Sequence, residues 1–201
     1  MAVNFSESKT KENLMRAFAG ESQARNRYTI AADKAKEMKM YTISDIFLYT
    51  ADQERAHAER YYELLKDLSG ETIFIDGGYP VDQQVTLAEL LRAAEHNEKE
   101  EYEDVYQAFG DTAKEEGFLE AASAFYQIAE IEHTHQVRFG EVAGMLESNH
   151  YYACENESKW ICTNCGYIHE GKQAPAVCPV CRHAQGYFLP YAFAAYKGEG
   201  K

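Results

Sequence analysis

Glu54-Arg55-Ala56-His57 and Glu132-His133-Thr134-His135 each set a carboxylate and an imidazole three residues apart. On a helix that spacing points both groups from one face, a single turn apart. A chain with 33 acidic residues produces Glu-x-x-His by chance, so the surrounding pattern decides what the pairs mean. Read in steps of three and four, the first pair lies in the series Ile43, Phe47, Thr50, Glu54, His57, Tyr61, Leu64, Leu68. The second lies in Phe118, Ala121, Phe125, Ile128, Glu132, His135, Phe139, Val142, Leu146. Both pairs interrupt stripes that otherwise belong in a core. A buried carboxylate without a partner costs several kcal/mol, so something cationic compensates it, and a metal ion is the first candidate.

Working outward, residues 8–38 predict a first helix, with Ser6, Ser8 and Thr10 as candidate N-caps. Its stripe (Leu14, Ala17, Glu21, Ala24, Tyr28, Ala31, Ala35, Met38) again carries a single carboxylate, that of Glu21. A short connection near 39–42 leads to a second helix running to about Leu68, which makes the two antiparallel neighbours. From Ser69 to Thr86 the helical pattern fails, and Ile73, Phe74, Ile75 and Tyr79 predict a crossover docked on the bundle. A third helix is expected from Leu87 to about Glu115, opened by a Thr86/Glu89 capping box. Gly117 separates it from a fourth that runs to about Leu146. Four helices with one long crossover have the connectivity of a ferritin-like bundle, here assigned to residues 1–149. The halves repeat weakly: a helix with a lone Glu, then a helix with Glu-x-x-His.

Glu130-x-x-His133 overlaps the second pair, but its stripe (Leu119, Ser123, Tyr126, Glu130, His133, Val137) is poorer in bulky apolar residues. On the third helix, the stripe Leu87, Leu91, Ala94, Glu98, Glu101, Val105, Ala108, Thr112 takes Glu98 and Glu101, whereas a shifted stripe takes Glu95 and Glu98. Periodicity therefore secures Glu98 and leaves its partner open. Several carboxylates with two imidazoles suit Fe or Mn, where carboxylates bridge two ions. A Glu from each of two helices and Glu-x-x-His from the other two is the arrangement of di-iron carboxylate bundles. The alternative is that Arg25, Arg55 and tyrosines satisfy the buried acids.

All five cysteines follow residue 150. Cys162-x-x-Cys165 and Cys178-x-x-Cys181 make two knuckles that close a four-thiolate site, which spacing alone leaves open between a structural zinc ribbon and iron. The small unit assigned to residues 150–201 has little apolar content and needs that ion to fold. Cys154 lies outside the spacing, and the tail 192–201 is expected to be ordered only by docking. Free thiolates imply a reducing compartment. A net charge of −13 argues against nucleic acid or an anionic membrane as partner. With neither a basic-then-apolar N-terminus nor a bilayer-length apolar run, the expectation is a soluble, cytoplasmic protein.

Ala17-Phe18-Ala19-Gly20-Glu21-Ser22-Gln23-Ala24-Arg25-Asn26-Arg27-Tyr28, together with the two knuckles, resembles the rubrerythrin family. The similarity covers nearly the whole chain, in that family's order of a ferritin-like domain followed by a rubredoxin-like one. The resemblance implies Glu21, Glu54, Glu98, Glu101, Glu132 and His135 as di-iron ligands, with His57 exchanging with Glu101 at one iron as the redox state changes. Its third-helix motif, Glu-x-x-Glu with a tyrosine five residues on, fits Glu98, Glu101 and Tyr106 and not Glu95, Glu98 and Glu103. It implies that Tyr28 and Tyr106 orient ligand carboxylates, and that Cys162, Cys165, Cys178 and Cys181 hold one rubredoxin-like iron. The function implied is reduction of hydrogen peroxide to water in oxidative-stress defence. Electrons would come through the four-cysteine centre from a rubredoxin or an NAD(P)H-linked reductase, in a homodimer. A ferroxidase or oxygen-reducing di-iron protein, or a metal-binding module with a zinc ribbon, are the rival readings.

Overall fold

The computed structural model describes residues 3–195. Of the tail, residues 196–201 lie outside the described residues; Phe193 packs against the helical core. Five α-helices come first: α1 (Lys9–Glu37), α2 (Tyr41–Glu63), α3 (Leu87–Glu100), α4 (Tyr106–Glu116) and α5 (Leu119–Glu147). A three-stranded antiparallel sheet follows, built from β1 (Ala153–Cys162), β2 (Ile168–Gln173) and β3 (Phe188–Pro190) in the order β2-β1-β3. The chain is thus mainly α, a ferritin-like bundle with a small C-terminal β unit. Among the described residues no helix is long and apolar enough to cross a membrane.

Local chemistry accounts for the boundaries. Ser8 caps α1 by accepting from the Lys11 N–H, and both halves of the Thr86/Glu89 capping box are present at α3. Gly117, at φ +90, ends α4 in the left-handed conformation a glycine adopts without strain. The second helix stops at Glu63, earlier than expected, and the chain turns once as a 3-10 helix at Lys66–Leu68.

Two sequence expectations need correction. The third helix is not regular: between α3 and α4, Glu101–Val105 form a π turn. The extra residue moves the buried stripe on by one to two positions, from the expected Val105, Ala108 and Thr112 to Tyr106, Gly110 and Ala113. The crossover also docks differently. Ile73 packs against the helical core as expected and Ile75 is half-buried, but Phe74 is 87% exposed and Tyr79 is exposed, so apolar contact holds only the start of the segment. Further along it is held by polar clamps: Arg16 to Asp76, and Arg27 with Asn97 to Asp82.

Two apolar cores stack along the bundle. One contains Ala24, Tyr28, Phe47, Ala51, Leu91, Ala94 and Phe139. The other contains Leu14, Ala17, Tyr61, Tyr106, Phe125 and Ile128. On every helix the predicted carboxylates and imidazoles fall between a residue of one core and a residue of the other. This seals them from water at both ends.

The β unit sits on the α1–α2 link. Tyr41 and Tyr187 rings meet at 4.4 Å, and the Thr42 and Tyr151 hydroxyls at 2.9 Å. Gly186 abuts the Lys39 carbonyl so closely that a Cβ there would collide with backbone. Gly186→Ala is therefore expected to cost about 1–3 kcal/mol. Denaturation followed by the emission of the single tryptophan, Trp160, measures it.

Candidate metal centres

Four helical segments deliver donors to the layer between the cores: Glu21 from α1, Glu54 and His57 from α2, Glu98 from α3, Glu132 and His135 from α5. All six are buried, His57 the least so at 6% exposure. Their donor atoms form two overlapping sets, each within 4.8 Å: Glu21, Glu54, His57 and Glu132; and Glu54, Glu98, Glu132 and His135. His57 Nδ1 lies 3.6 Å from Glu21 Oε2, 3.3 Å from Glu54 Oε2 and 2.9 Å from Glu132 Oε1. His135 Nδ1 lies 3.0 Å from Glu54 Oε1, 3.6 Å from Glu98 Oε2 and 2.7 Å from Glu132 Oε2. Glu54 and Glu132 therefore give one oxygen to each set. Each set keeps one further carboxylate and one imidazole of its own.

These approaches are short but misaligned. Glu21 Oε2, both oxygens of Glu54 and of Glu132, Glu98 Oε2 and the two Nδ1 atoms are buried without a hydrogen bond. Buried polar groups are almost always paired, so eight orphans facing one gap require a shared partner. Arginine does not supply it, because Arg25 and Arg55 are exposed. Metal ions fit the gap in donor type and in number.

The outer atoms are tied down. Tyr106 donates to Glu21 Oε1 at 2.5 Å, and Tyr28 donates to Glu98 Oε1. The Nε2–H of His135 donates to Gln53 Oε1 at 3.1 Å, which leaves its Nδ1 lone pair facing the gap. Gln53 is held in turn by Arg138, which also donates to Thr50 at 3.0 Å. Among the described residues His57 has no corresponding bond. One imidazole is anchored and the other is not.

The structure separates the remaining sequence candidates. Glu130 and His133 are exposed, His133 stacking on Tyr102. Glu95 pairs with Arg92 at 2.6 Å, away from the layer. Glu101, on the π turn, is half-buried and belongs to neither donor set, though Glu21, Glu98, Glu132 and Glu54 lie near enough to act on it. The sequence reading missed Gln53, Thr50 and Arg138. Only Thr50 lay on the core stripe, and nothing in the spacing marked a hydrogen bond between helices.

Without metal the layer holds protons. Burial pushes the Glu21 carboxyl up to about 8 and the Glu132 carboxyl up to about 7. Burial lowers the His135 imidazole, but Glu132, Glu54 and Glu98 overcome this and raise it to about 12; His57 moves in the same direction. Metal must displace these protons, so affinity grows with pH. Iron uptake by the metal-free protein is expected to weaken as pH falls through about 8 and then 7, by roughly tenfold per pH unit for each proton displaced. Metal titration at constant ionic strength measures this; pH-independent affinity would contradict it.

In the β unit, the two knuckles turn alike: the Gly166 N–H donates to the Cys162 carbonyl, and the Arg182 N–H to the Cys178 carbonyl. Gly166 and Arg182 both have positive φ, at 77 and 65. Cys162 and Cys181 sulfurs are 3.6 Å apart and Cys165 and Cys178 sulfurs 3.7 Å, far beyond a disulfide bond. All four converge within 4.8 Å, as a tetrahedral thiolate site demands. The His183 N–H holds the Cys181 sulfur down to about 6, while burial pushes Cys162 up to about 12. Cys154 stays outside this cluster.

Comparison with known proteins agrees with both centres. Residues 12–143 match the family model described as rubrerythrin, and residues 160–189 match that of the rubrerythrin rubredoxin-like domain. The chain is 46% identical over 183 residues to rubrerythrin-1 of Clostridium acetobutylicum, covering 90% of this chain and 93% of the relative. It is 42% identical over 181 residues to rubrerythrin of Nitratidesulfovibrio vulgaris, with the same coverage. Fully reduced, all-ferrous nigerythrin superposes with a TM-score of 0.62 at 29% identity, over 94% of each chain. Desulfovibrio desulfuricans bacterioferritin, with its diiron site, superposes with a TM-score of 0.63 at 25% identity, over 71% of this chain and 82% of that one. The cofactors are accordingly two non-haem irons in the helical layer and one iron in the four-cysteine site. This chain belongs to the rubrerythrin family.

Proposed function

We propose that the protein is a hydrogen-peroxide reductase of oxidative-stress defence. Glu54 and Glu132 would bridge two irons, with Glu21 and His57 completing one and Glu98 and His135 the other. The observation that carries this is the division of oxygens: each of two carboxylates faces both donor sets, which builds one dinuclear centre rather than two separate sites. When bound, a di-ferrous pair supplies the two electrons that cleavage of an O–O bond consumes.

The residues divide the remaining work. Tyr28 and Tyr106 fix Glu98 and Glu21, and Gln53 fixes His135, so that three of the four unshared donors are preorganised. His57 lacks such an anchor and is free to leave, exchanging with Glu101. Burial, and then the neighbouring carboxylates, hold the Glu101 carboxyl far above its usual range, so away from metal it carries a proton. Moving toward the layer would release that proton beside the reacting oxygens. Imidazole in place suits the ferrous state, and carboxylate in place suits the ferric one. His57→Gln is expected to slow peroxide turnover at least tenfold while iron content falls less than twofold. Unchanged turnover would remove His57 from this role.

Four thiolates leave no open position, so the β-unit iron would relay electrons rather than bind peroxide. Exposed Cys165 and the 65% exposed Val180 present that edge to a donor such as a rubredoxin or an NAD(P)H-linked reductase. A homodimer would set one protomer's four-cysteine centre against its partner's helical layer. The test is anaerobic reduction followed by peroxide or O₂, monitoring the visible bands of both iron types. Faster recovery with peroxide at both centres is the expected result; faster recovery with O₂ would favour the oxygen-reducing reading.

A further inference from the structure

The donors of the helical layer are buried, His57 the least so. Among its carboxylates only Glu101 keeps partial exposure. Glu101 lines a cavity of about 210 Å³ beneath the crossover, together with Ala17, Gly20, Gly77, Tyr79 and Tyr106. Four larger cavities, of about 470 Å³ beside Leu14 and Phe118, 500 Å³ beside Ile30 and Val81, 380 Å³ beside Thr42 and Arg138 and 290 Å³ beside Met15 and Ile73, are lined by no residue of the layer. Of these cavities, the one under the crossover reaches the edge of the layer, at Glu101.

The frame of this cavity is braced. Upstream, Arg16 donates to both the backbone carbonyl and the side chain of Asp76, at 3.1 and 2.7 Å. Downstream, Arg27 and Asn97 donate to the same Asp82 oxygen, at 2.7 and 2.8 Å. Between the clamps, the Tyr79 hydroxyl donates to the Arg16 carbonyl at 3.3 Å, which swings its ring across the opening. That ring lies between two glycines. A Cβ on Gly77 would come within 3.0 Å of the Tyr79 hydroxyl, and one on Gly20 would sit 3.8 Å from the Tyr79 ring. The opening is as wide as it is because two side chains are missing, and as narrow as it is because Tyr79 is present.

We infer that this cavity is the passage to the metal layer and that Tyr79, set between Gly20 and Gly77, limits it to small oxidants. Hydrogen peroxide passes, and hydroperoxides carrying a bulky aryl group do not. The choice of oxidant rests on the peroxidase reading above; the passage itself does not. Gly20 is the natural place to close it, because it lines the cavity and a Cβ there would meet only the Tyr79 ring, at 3.8 Å. Tyr79 is the natural place to open it, because the residue is on the surface and belongs to neither core.

The test uses the iron-loaded full chain, as wild type, Tyr79→Ala and Gly20→Leu, each with its iron content and thermal midpoint measured. Extraction of ferrous iron by 2,2′-bipyridine reports access without reference to turnover. Reoxidation of the reduced protein by hydrogen peroxide and by cumene hydroperoxide reports size selection. Tyr79→Ala is expected to speed bipyridine extraction and cumene hydroperoxide reoxidation at least tenfold. Gly20→Leu is expected to slow reoxidation by hydrogen peroxide at least tenfold with iron content retained. Should Gly20→Leu fail to load, Gly20→Ala replaces it, with a slowing of about threefold expected. Extraction unchanged by Tyr79→Ala, or a closing variant as fast as wild type, would overturn the passage. Faster extraction from Tyr79→Ala in a protein that neither hydroperoxide reoxidises would keep the passage and reject the peroxidase reading.

Discussion

Glu54→Ala is expected to empty both positions of the helical layer, whereas Glu21→Ala empties mainly one. Glu54 faces His57 with one oxygen and His135 with the other, so its loss takes a donor from both sets at once. Glu21 faces only the set that contains His57. Iron in the helical layer of the purified full chain should fall from two ions to near zero in Glu54→Ala and to about one in Glu21→Ala. Stability should follow occupancy, because an ion that binds only the folded state raises it by RT ln(1 + [L]/Kd), about 4 kcal/mol at a thousandfold excess over Kd. The gap in thermal midpoint between loaded and metal-free protein should therefore nearly vanish for Glu54→Ala and persist in part for Glu21→Ala. Equal losses from the two variants would contradict the division of oxygens.

Removing the iron of the four-cysteine site should unfold the β unit and leave the bundle standing. The core of that unit consists of Trp160, Cys162, Ala174, Cys178 and Phe188, and two of these five are themselves ligands. So small an apolar cluster cannot offset the chain entropy of the two knuckles without the metal bonds. Trp160, 1% exposed with its indole N–H donating to the Tyr151 carbonyl, is the only tryptophan in the chain. Its emission should shift to the red on chelation, or in Cys178→Ser, while helical circular dichroism falls by less than about a tenth. A blue emission surviving metal loss would show that packing on the α1–α2 link suffices to fold the unit.

The distinction between Glu132/His135 and the overlapping Glu130/His133 is legible in the periodicity of one helix. A helix turns by a fixed angle per residue, so a one-turn pair on a stripe of Phe and Ile must follow that stripe inward. Glu132 and His135 are fully buried and the overlapping pair is exposed. The same periodicity fails after Glu101, where Tyr106, Gly110 and Ala113 are buried in place of Val105, Ala108 and Thr112. Its premise is regular winding, and a π turn breaks that premise by one residue. The failure falls beside the metal layer, where such turns concentrate.

The crossover departs from its sequence pattern for a related reason. Of the apolar residues that predict hydrophobic docking, Ile73 packs on the core while Phe74 and Tyr79 stay exposed, and charged clamps to Arg16 and Arg27 hold the rest of the segment, because a chain running over a bundle surface meets polar side chains there. Sequence alone determined the four-helix order, the carboxylate and imidazole types, and the two thiolate knuckles, since each rests on local spacing along one element. Tertiary structure alone decided which oxygens face both donor sets, that Gln53 anchors one histidine while the other stays unanchored, and where the layer opens to solvent. Those depend on side chains from helices far apart in sequence meeting within a few ångströms, a relation that no periodicity along a single helix encodes.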